Sequence, residues 1–281
     1  VDEVRRKFFG TLYNTYSFFS GYANVDAFDN EAAQVPVAER PEIDRWVLSV
    51  LNTLVKGVQN EMEGYDPTRA GRLIEDFVNN DLSNWYVRLN RKRFWGKEMS
   101  QDKLAAYQTL YTCLTTVAKL LAPFAPFFAD QLFCDLGAAQ LEGTTSVHLA
   151  KFPVVDEQLI DNELEERMGM AQKITSMVHA LRKKVNIAVR QPLQAIMIPA
   201  VDDEQRRHIE AVKDLILSEV NVKELRFVEG SGVLVKKVKC NFRTMGKKFG
   251  KLMKGIAAAM SALDQDQIAE IETNGKIAVD V

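Results

Sequence analysis

Apolar residues recur at steps of three and four along the first half of the chain, the spacing of one face of an α-helix. Ile43, Trp46, Val47, Val50, Leu51, Leu54, Val58 and Met62 make one such stripe, on a helix with Pro41 at its first turn. Phe8, Leu12, Tyr16 and Phe19 make an earlier stripe, and Leu104, Tyr107, Leu110, Tyr111, Leu114, Val117 and Leu121 a later one. Between them, Asp66-Pro67 predicts a helix start, because the carboxylate can accept from free amides and proline has no amide hydrogen to leave unsatisfied. That helix runs through Leu73, Ile74, Phe77 and Val78. The Asn79-Asn80-Asp81 cluster is a place for it to bend or restart, since these short side chains compete for backbone hydrogen bonds. Leu82 to Trp95 continues it, with Gly96 as a stop. Proline interrupts the later helix at Ala122-Pro123-Phe124-Ala125-Pro126, and a short helix resumes to Leu136. Helices apolar on one side bury those sides most simply as a bundle.

After Gly143 the pattern changes. Ser146 to Pro153 reads as an extended crossing, and Leu159 to about Ala188 as a long helix. Leu193 to Ile198 reads as a strand and Asp202 to Leu217 as a helix. Val222–Val228 and Val233–Val238 flank Gly230-Ser231-Gly232 as a hairpin. Arg243 to Leu263 reads as helical despite three glycines, and Lys276 to Val281 as a strand, either hairpin-paired or following a short helix. The expected fold is mainly α: a helical bundle over residues 1–145, then a smaller α+β domain over 146–281, with the boundary near 145–158.

The length of 281 residues suits two domains, and 47% hydrophobic with 26% charged residues excludes a disordered or collagen-like chain. The most apolar stretch, Val117 to Ala129, contains Lys119 and two prolines and is shorter than the roughly 20 residues a membrane span needs. Cys113, Cys134 and Cys240 form no CxxC pair, so no disulfide framework or cysteine-rich zinc site is expected and a reducing, cytoplasmic setting is. His148, His179 and His208 lie on three segments without metal-ligand spacing. Gly246 to Leu252 is one residue short of a phosphate loop and lacks its hydroxyl. No GxGxxG, HExxH or GxSxG occurs, so no self-contained catalytic site is expected and no metal or cofactor is assigned to this chain. The chain begins without methionine, directly in a helical pattern, as a piece of a longer protein would.

The formal charge of −2 hides an asymmetry. Residues 1–87 carry eight basic against fourteen acidic side chains, whereas Gly230 to Leu263 holds eight basic residues and no acid. Local fields would therefore guide a partner. At 100° per residue, Leu82, Trp85, Tyr86 and Leu89 share one side of their helix, while Asn84, Arg88, Arg91 and Trp95 fall within roughly 60° on the other. Two guanidiniums, an amide and an indole suit phosphates and unpaired RNA bases. The same residues also admit a plainer reading, in which Arg91, Lys92 and Arg93 complement the negative helix end and Trp95 packs beneath Gly96. The second basic set, with Arg243, Lys247, Lys248 and Lys251 beside Phe242 and Phe249, is either a phosphate-contacting surface or a solvated face.

At these residues a resemblance emerges. Asp81-Leu82-Ser83-Asn84-Trp85-Tyr86-Val87-Arg88 with Arg93-Phe94-Trp95, Leu120 to Phe127, and Ser146-Val147-His148-Leu149 closely resemble the anticodon-binding helical region of the isoleucyl-tRNA synthetase family; the valyl and leucyl families share the bundle. Leu181 to Leu193 and Asn241 to Lys251 look like the segment beyond the bundle in the isoleucyl family, and the resemblance covers nearly the whole chain. It implies a C-terminal piece of a class I ligase that joins isoleucine to its tRNA. The HIGH-like and KMSKS-like sequences, with the ATP and magnesium they serve, would lie in an absent N-terminal catalytic domain. The expected partners are an isoleucine-specific tRNA and that domain, with no membrane and a monomeric state. Contacts to tRNA would come from Asn84, Arg88, Arg91 and Trp95 and, for phosphates, from Arg243, Lys247, Lys248 and Lys251. The cysteine-rich zinc module of many bacterial members is missing, which makes the chain look like the eukaryotic-type branch. The competing readings are a helical protein-interaction module and the equivalent region of a valyl or leucyl enzyme.

Overall fold

The computed structural model describes residues 2–199, 202–228, 238–276 and 278. The chain forms two compact units, Val1–Met177 and Val178–Val281. The segment 146–177, which the pattern change grouped with the second domain, belongs to the first unit because polar bonds fasten it to the bundle. The Asp156 amide donates to the Asn52 side chain at 2.9 Å, the Asp161 amide donates to the Ser49 hydroxyl at 2.8 Å, and Lys56 Nζ reaches Glu157 at 2.9 Å.

The first unit is all helical. After turns at Asp2–Val4 and Arg5–Phe9, α1 runs over Gly10–Val25, α2 over Glu42–Glu63 and α3 over Pro67–Asp76. The expected start holds: Asp66 Oδ1 accepts from the Arg69 amide at 3.0 Å and Pro67 occupies the first turn. The helix does not restart at Asn79-Asn80-Asp81. It widens into a π-helix over Phe77–Val87 and returns to α geometry as α4, Arg88–Phe94. The widening has a packing cause. Phe77, Val78, Leu82, Trp85, Tyr86 and Val87 are all buried, and at α spacing they would scatter over roughly 260° of the helix. Hydrogen bonds closed one residue further on turn the chain less per residue and draw these side chains toward one side.

Helix α5 (Gln101–Leu121) starts at Ser100, whose hydroxyl accepts from the Lys103 amide at 3.1 Å. The proline break at 122–126 leads into α6 (Pro126–Asp135) and the single turn α7 (Ala138–Leu141). The core holds Leu12, Trp46, Ile74, Leu82, Tyr86, Phe94, Tyr107, Leu110 and Phe133. Burying each such side chain contributes about 1.5–3 kcal/mol before entropy is counted. Helix α8 spans Asn162–Lys184.

The second unit holds the only sheet among the described residues. Strand β1 (Leu193–Pro199) pairs in parallel with β2 (Val222–Val228), in a register running from Leu193↔Val222 to Pro199↔Val228. Two helices, α9 (Asp203–Ala211) and α10 (Lys213–Val220), make the crossover that parallel pairing requires. The sequence had β2 paired in a hairpin with 233–238. Its partner is β1, and residues 229–237, with the Gly230-Ser231-Gly232 turn, lie outside the described residues; Val238 is not in a strand. The expected helix from 202 to 217 divides at Val212, and that from 243 to 263 divides into α11 (Phe242–Phe249), a 3-10 turn at Gly250–Leu252 and α12 (Met253–Ser261). At the second break Gly250 takes a φ of +38°, which an L side chain rarely adopts. Helix α13 (Gln265–Asn274) follows, capped by Asp264 and ended by Gly275 at φ +68°. Of the tail expected as a strand, Lys276 and Ala278 are irregular and the rest lies outside the described residues.

Candidate nucleic-acid interface

Along the rod from Phe77 through Trp95 the two sides differ sharply. Leu82, Trp85, Tyr86, Val87, Asn90 and Phe94 are buried, whereas Asn84, Arg88, Arg91 and Trp95 are exposed, the indole to 57%. The structure thus brings the first predicted set together on one solvent-facing edge. Arg88 is not loose there. Its Nε donates to the Asn84 carbonyl at 2.8 Å and its guanidinium lies 5.7 Å from the centre of the Trp85 ring, which limits its freedom before any partner arrives. Arg91 and Lys92 are exposed and have no carboxylate partner among the described residues.

Arg93, the third member of the basic run, turns inward. Its two terminal nitrogens meet the Asp44 carboxylate at 2.6 and 2.8 Å, and its Nε meets Asp102 at 3.0 Å. Asp44, at the start of α2, is fully buried and also accepts from the Tyr86 hydroxyl at 2.8 Å. Burial opposes the Arg93 charge, but the hydrogen bonds and charge of Asp44 outweigh it and hold the guanidinium above its ordinary pKa. Burial first, and then the Asp44 charge, push the Tyr86 hydroxyl well above its usual value, so it stays a donor. This group fastens the rod to α2 and α5. Beyond it, Lys103 is buried, with Nζ 2.6 Å from Asp26 and 2.5 Å from the Gly96 carbonyl, so the turn that carries Trp95 is held as well.

Sequence reasoning missed this support. Asp44 sits where a first-turn helix acid belongs, and nothing local distinguishes Arg93 from its neighbours Arg91 and Lys92. The one available signal was position: Arg93 lies three residues after Asn90, which is on the buried side, and its Nη1 donates to Asn90 at 3.0 Å.

The second basic set belongs to the other unit. Arg243, Lys247 and Lys248 lie on α11 and Lys251 in the turn after it, with their side chains outside the described residues; Phe242 and Phe249 are exposed to 62% and 44%. Arg182, in the Leu181–Leu193 stretch, is buried and structural. It donates to the carbonyls of Ala188, Gln191, Val220 and Asn221, at 2.8 to 3.1 Å. Among the described residues no three His, Cys, Asp or Glu side chains could hold a metal ion together, and no helix is long and apolar enough to cross a membrane.

The family described as the anticodon-binding domain of tRNA ligase matches residues 44–197. The chain belongs to this family. Its anticodon-binding-domain match takes in most of α2, the whole rod that carries the exposed edge, and most of β1. Among its relatives are the isoleucine–tRNA ligases of Bacteroides thetaiotaomicron, 66% identical over the whole chain and 24% of that protein, and of Porphyromonas gingivalis, 58% identical over the same shares. That of Clostridium novyi is 40% identical over 98% of this chain and 26% of its own length. The chain therefore spans about a quarter of the length of these relatives.

Proposed function

We propose that this chain is the tRNA-binding part of an isoleucine–tRNA ligase, and that the edge formed by Asn84, Arg88, Arg91 and Trp95 receives the anticodon loop. The observation that carries the assignment is the arrangement of that edge: two guanidiniums, an amide and an exposed indole on a rod locked from behind by Asp44 and Arg93. Unpaired anticodon bases can stack on the indole, and planar guanidiniums can pair with phosphate oxygens two bonds at a time. Arg243, Lys247, Lys248 and Lys251 add phosphate contacts in this reading. The 66% identity to an isoleucine–tRNA ligase supports isoleucine over valine or leucine as the amino acid of the whole protein.

In the parent protein, this region selects the tRNA before isoleucine is joined to it using ATP. ATP and magnesium belong to the rest of that protein, in a cytoplasmic, monomeric enzyme, and no ligation step is assigned to the residues described here. Titration of the chain with an isoleucine tRNA transcript and with the same transcript carrying a substituted anticodon tests the assignment. The expected result is tighter, salt-sensitive binding to the unaltered anticodon, and about tenfold weaker binding by Arg88→Ala, the loss of one charge-assisted contact. Equal affinity for both transcripts, or salt-insensitive association, overturns it in favour of a protein-interaction surface.

A further inference from the structure

We propose that Trp85 is a positioning residue for RNA binding: its buried indole sets the direction in which Arg88 meets the anticodon loop. This rests on the assignment of the Asn84–Trp95 edge to tRNA and adds a residue that the edge itself does not contain. Trp85 is 5% exposed, whereas Arg88, three residues later and therefore its neighbour on the helix surface, is exposed. The guanidinium carbon stands over the indole, 5.7 Å from the ring centre, while Nε donates to the Asn84 carbonyl at 2.8 Å. Each restraint opposes a motion that the other allows. The hydrogen bond holds one atom of the group, and attraction to the ring resists rotation about that atom. A guanidinium aimed in advance loses less side-chain entropy on docking than a freely rotating one.

Of this pair, the indole is the stationary member. Tyr86, next to it in the chain, is fully buried and tied to Asp44 at 2.8 Å, and Arg88 is the residue at which the π-helix gives way to α4. The other cations over rings among the described residues of the first unit are of a different kind. Lys103 over Tyr107 and Lys119 over Phe133 have side chains 3% and 18% exposed, and each is held by a carboxylate at 2.6 Å, Asp26 and Glu142 respectively. Those pairs close the interior, whereas the pair at Trp85 presents its cation to solvent.

A second observation concerns what the indole gives up. Trp85 Nε1 is buried and meets no hydrogen-bond acceptor among the described residues. An unpaired buried donor costs stability, and a phenyl ring in its place would bring no polar atom. The polar handle that usually accounts for a buried tryptophan is unused here. What accounts for the residue is its ring, which attracts a cation more strongly than that of tyrosine or phenylalanine.

A double-mutant cycle on tRNA affinity tests the proposal. Trp85→Met and Trp85→Phe are each made alone and together with Arg88→Ala, and filter binding to an isoleucine tRNA transcript reads all of them. Trp85→Met should weaken binding ~2–5-fold while Arg88 is present, the worth of one cation–ring contact near the surface. With alanine at position 88 the same change should have no effect, because its route to the RNA is gone. Trp85→Phe keeps a ring face and should bind more tightly than Trp85→Met, again only while Arg88 is present. Melting curves establish that each variant is folded at the assay temperature, and Trp85→Leu replaces Trp85→Met in the cycle if the latter is not. Equal losses in the two backgrounds, methionine binding as tightly as tryptophan, or phenylalanine no better than methionine overturns the proposal and leaves the tRNA assignment standing. If Arg88→Ala alone binds the transcript as tightly as the unsubstituted chain, the assignment of the edge falls and this proposal falls with it.

Discussion

Asp81 stands at the restart the sequence suggested, and its chemistry there is unfavourable. Burial pushes its carboxyl up to about 6, the Gln172 amide at 2.9 Å pulling the other way and the charges of Asp76 and Glu165 adding to the rise. A folded-state pKa above the ordinary 3.8 means that the folded chain holds this proton more tightly than the unfolded one. The stability from that proton is fully present below about pH 4 and is lost as pH rises through about 6. The loss is about 1–3 kcal/mol. Asp81→Asn keeps an oxygen for Gln172 and removes the charge. It should raise the urea midpoint at pH 7.5 and leave it almost unchanged at pH 4; equal effects at both would refute the burial argument. Trp95 illustrates the opposite case. With its ring 57% exposed, Trp95→Ala should change folding stability by less than about 0.5 kcal/mol. The same substitution should weaken tRNA binding by about 1–3 kcal/mol if a base stacks on the indole, and binding titrations beside thermal melting separate the two.

At the scale of elements, the rod is positioned by the pair it hides. Asp44 is fully buried and its counter-charge is Arg93, at 14% side-chain exposure. Arg93→Met would leave the carboxylate with the Tyr86 hydroxyl as its remaining side-chain partner. A loss of about 3–5 kcal/mol is expected, as for breaking a buried ion pair from one end, read as a lower urea midpoint with an unchanged slope. Arg91→Met, two residues away and exposed, should cost less than about 0.5 kcal/mol. The contrast between the two arginines marks where the sequence was legible. Helices announced themselves because the stripes headed by Ile43 and Leu104 repeat every three or four residues, and the edge from Asn84 to Trp95 followed from the same arithmetic. Three features escaped it. The π widening at Phe77–Val87 answers to crowding against the rest of the core, which no local window contains. The Asp44–Arg93 pair joins residues 49 apart in sequence. The pairing of β2 with β1 spans two helices, whereas the Gly-Ser-Gly turn that suggested a hairpin is a purely local signal.

For the whole molecule, a net charge of −2 gives no general attraction to a polyanion, so RNA binding must come from where the cations are concentrated. One concentration is the exposed edge with Arg88, Arg91 and Lys92 in the first unit; the other is the basic run from Lys236 to Lys254 in the second. These two sources predict different signatures in one experiment. Each phosphate neutralised releases counterions and adds about 0.7–0.9 to the slope of log affinity against log salt. If both runs grip one tRNA and act independently, Arg91→Ala should lower the slope by about one unit, Lys247→Ala with Lys248→Ala by about two, and the combined variant by their sum. If the second run is only a solvated face, its double substitution leaves the slope unchanged while Arg91→Ala still lowers it. Stopped-flow or filter-binding titrations across salt concentrations read the slopes directly. They also separate charge from stacking: Trp95→Ala carries no charge change and should displace the line without tilting it.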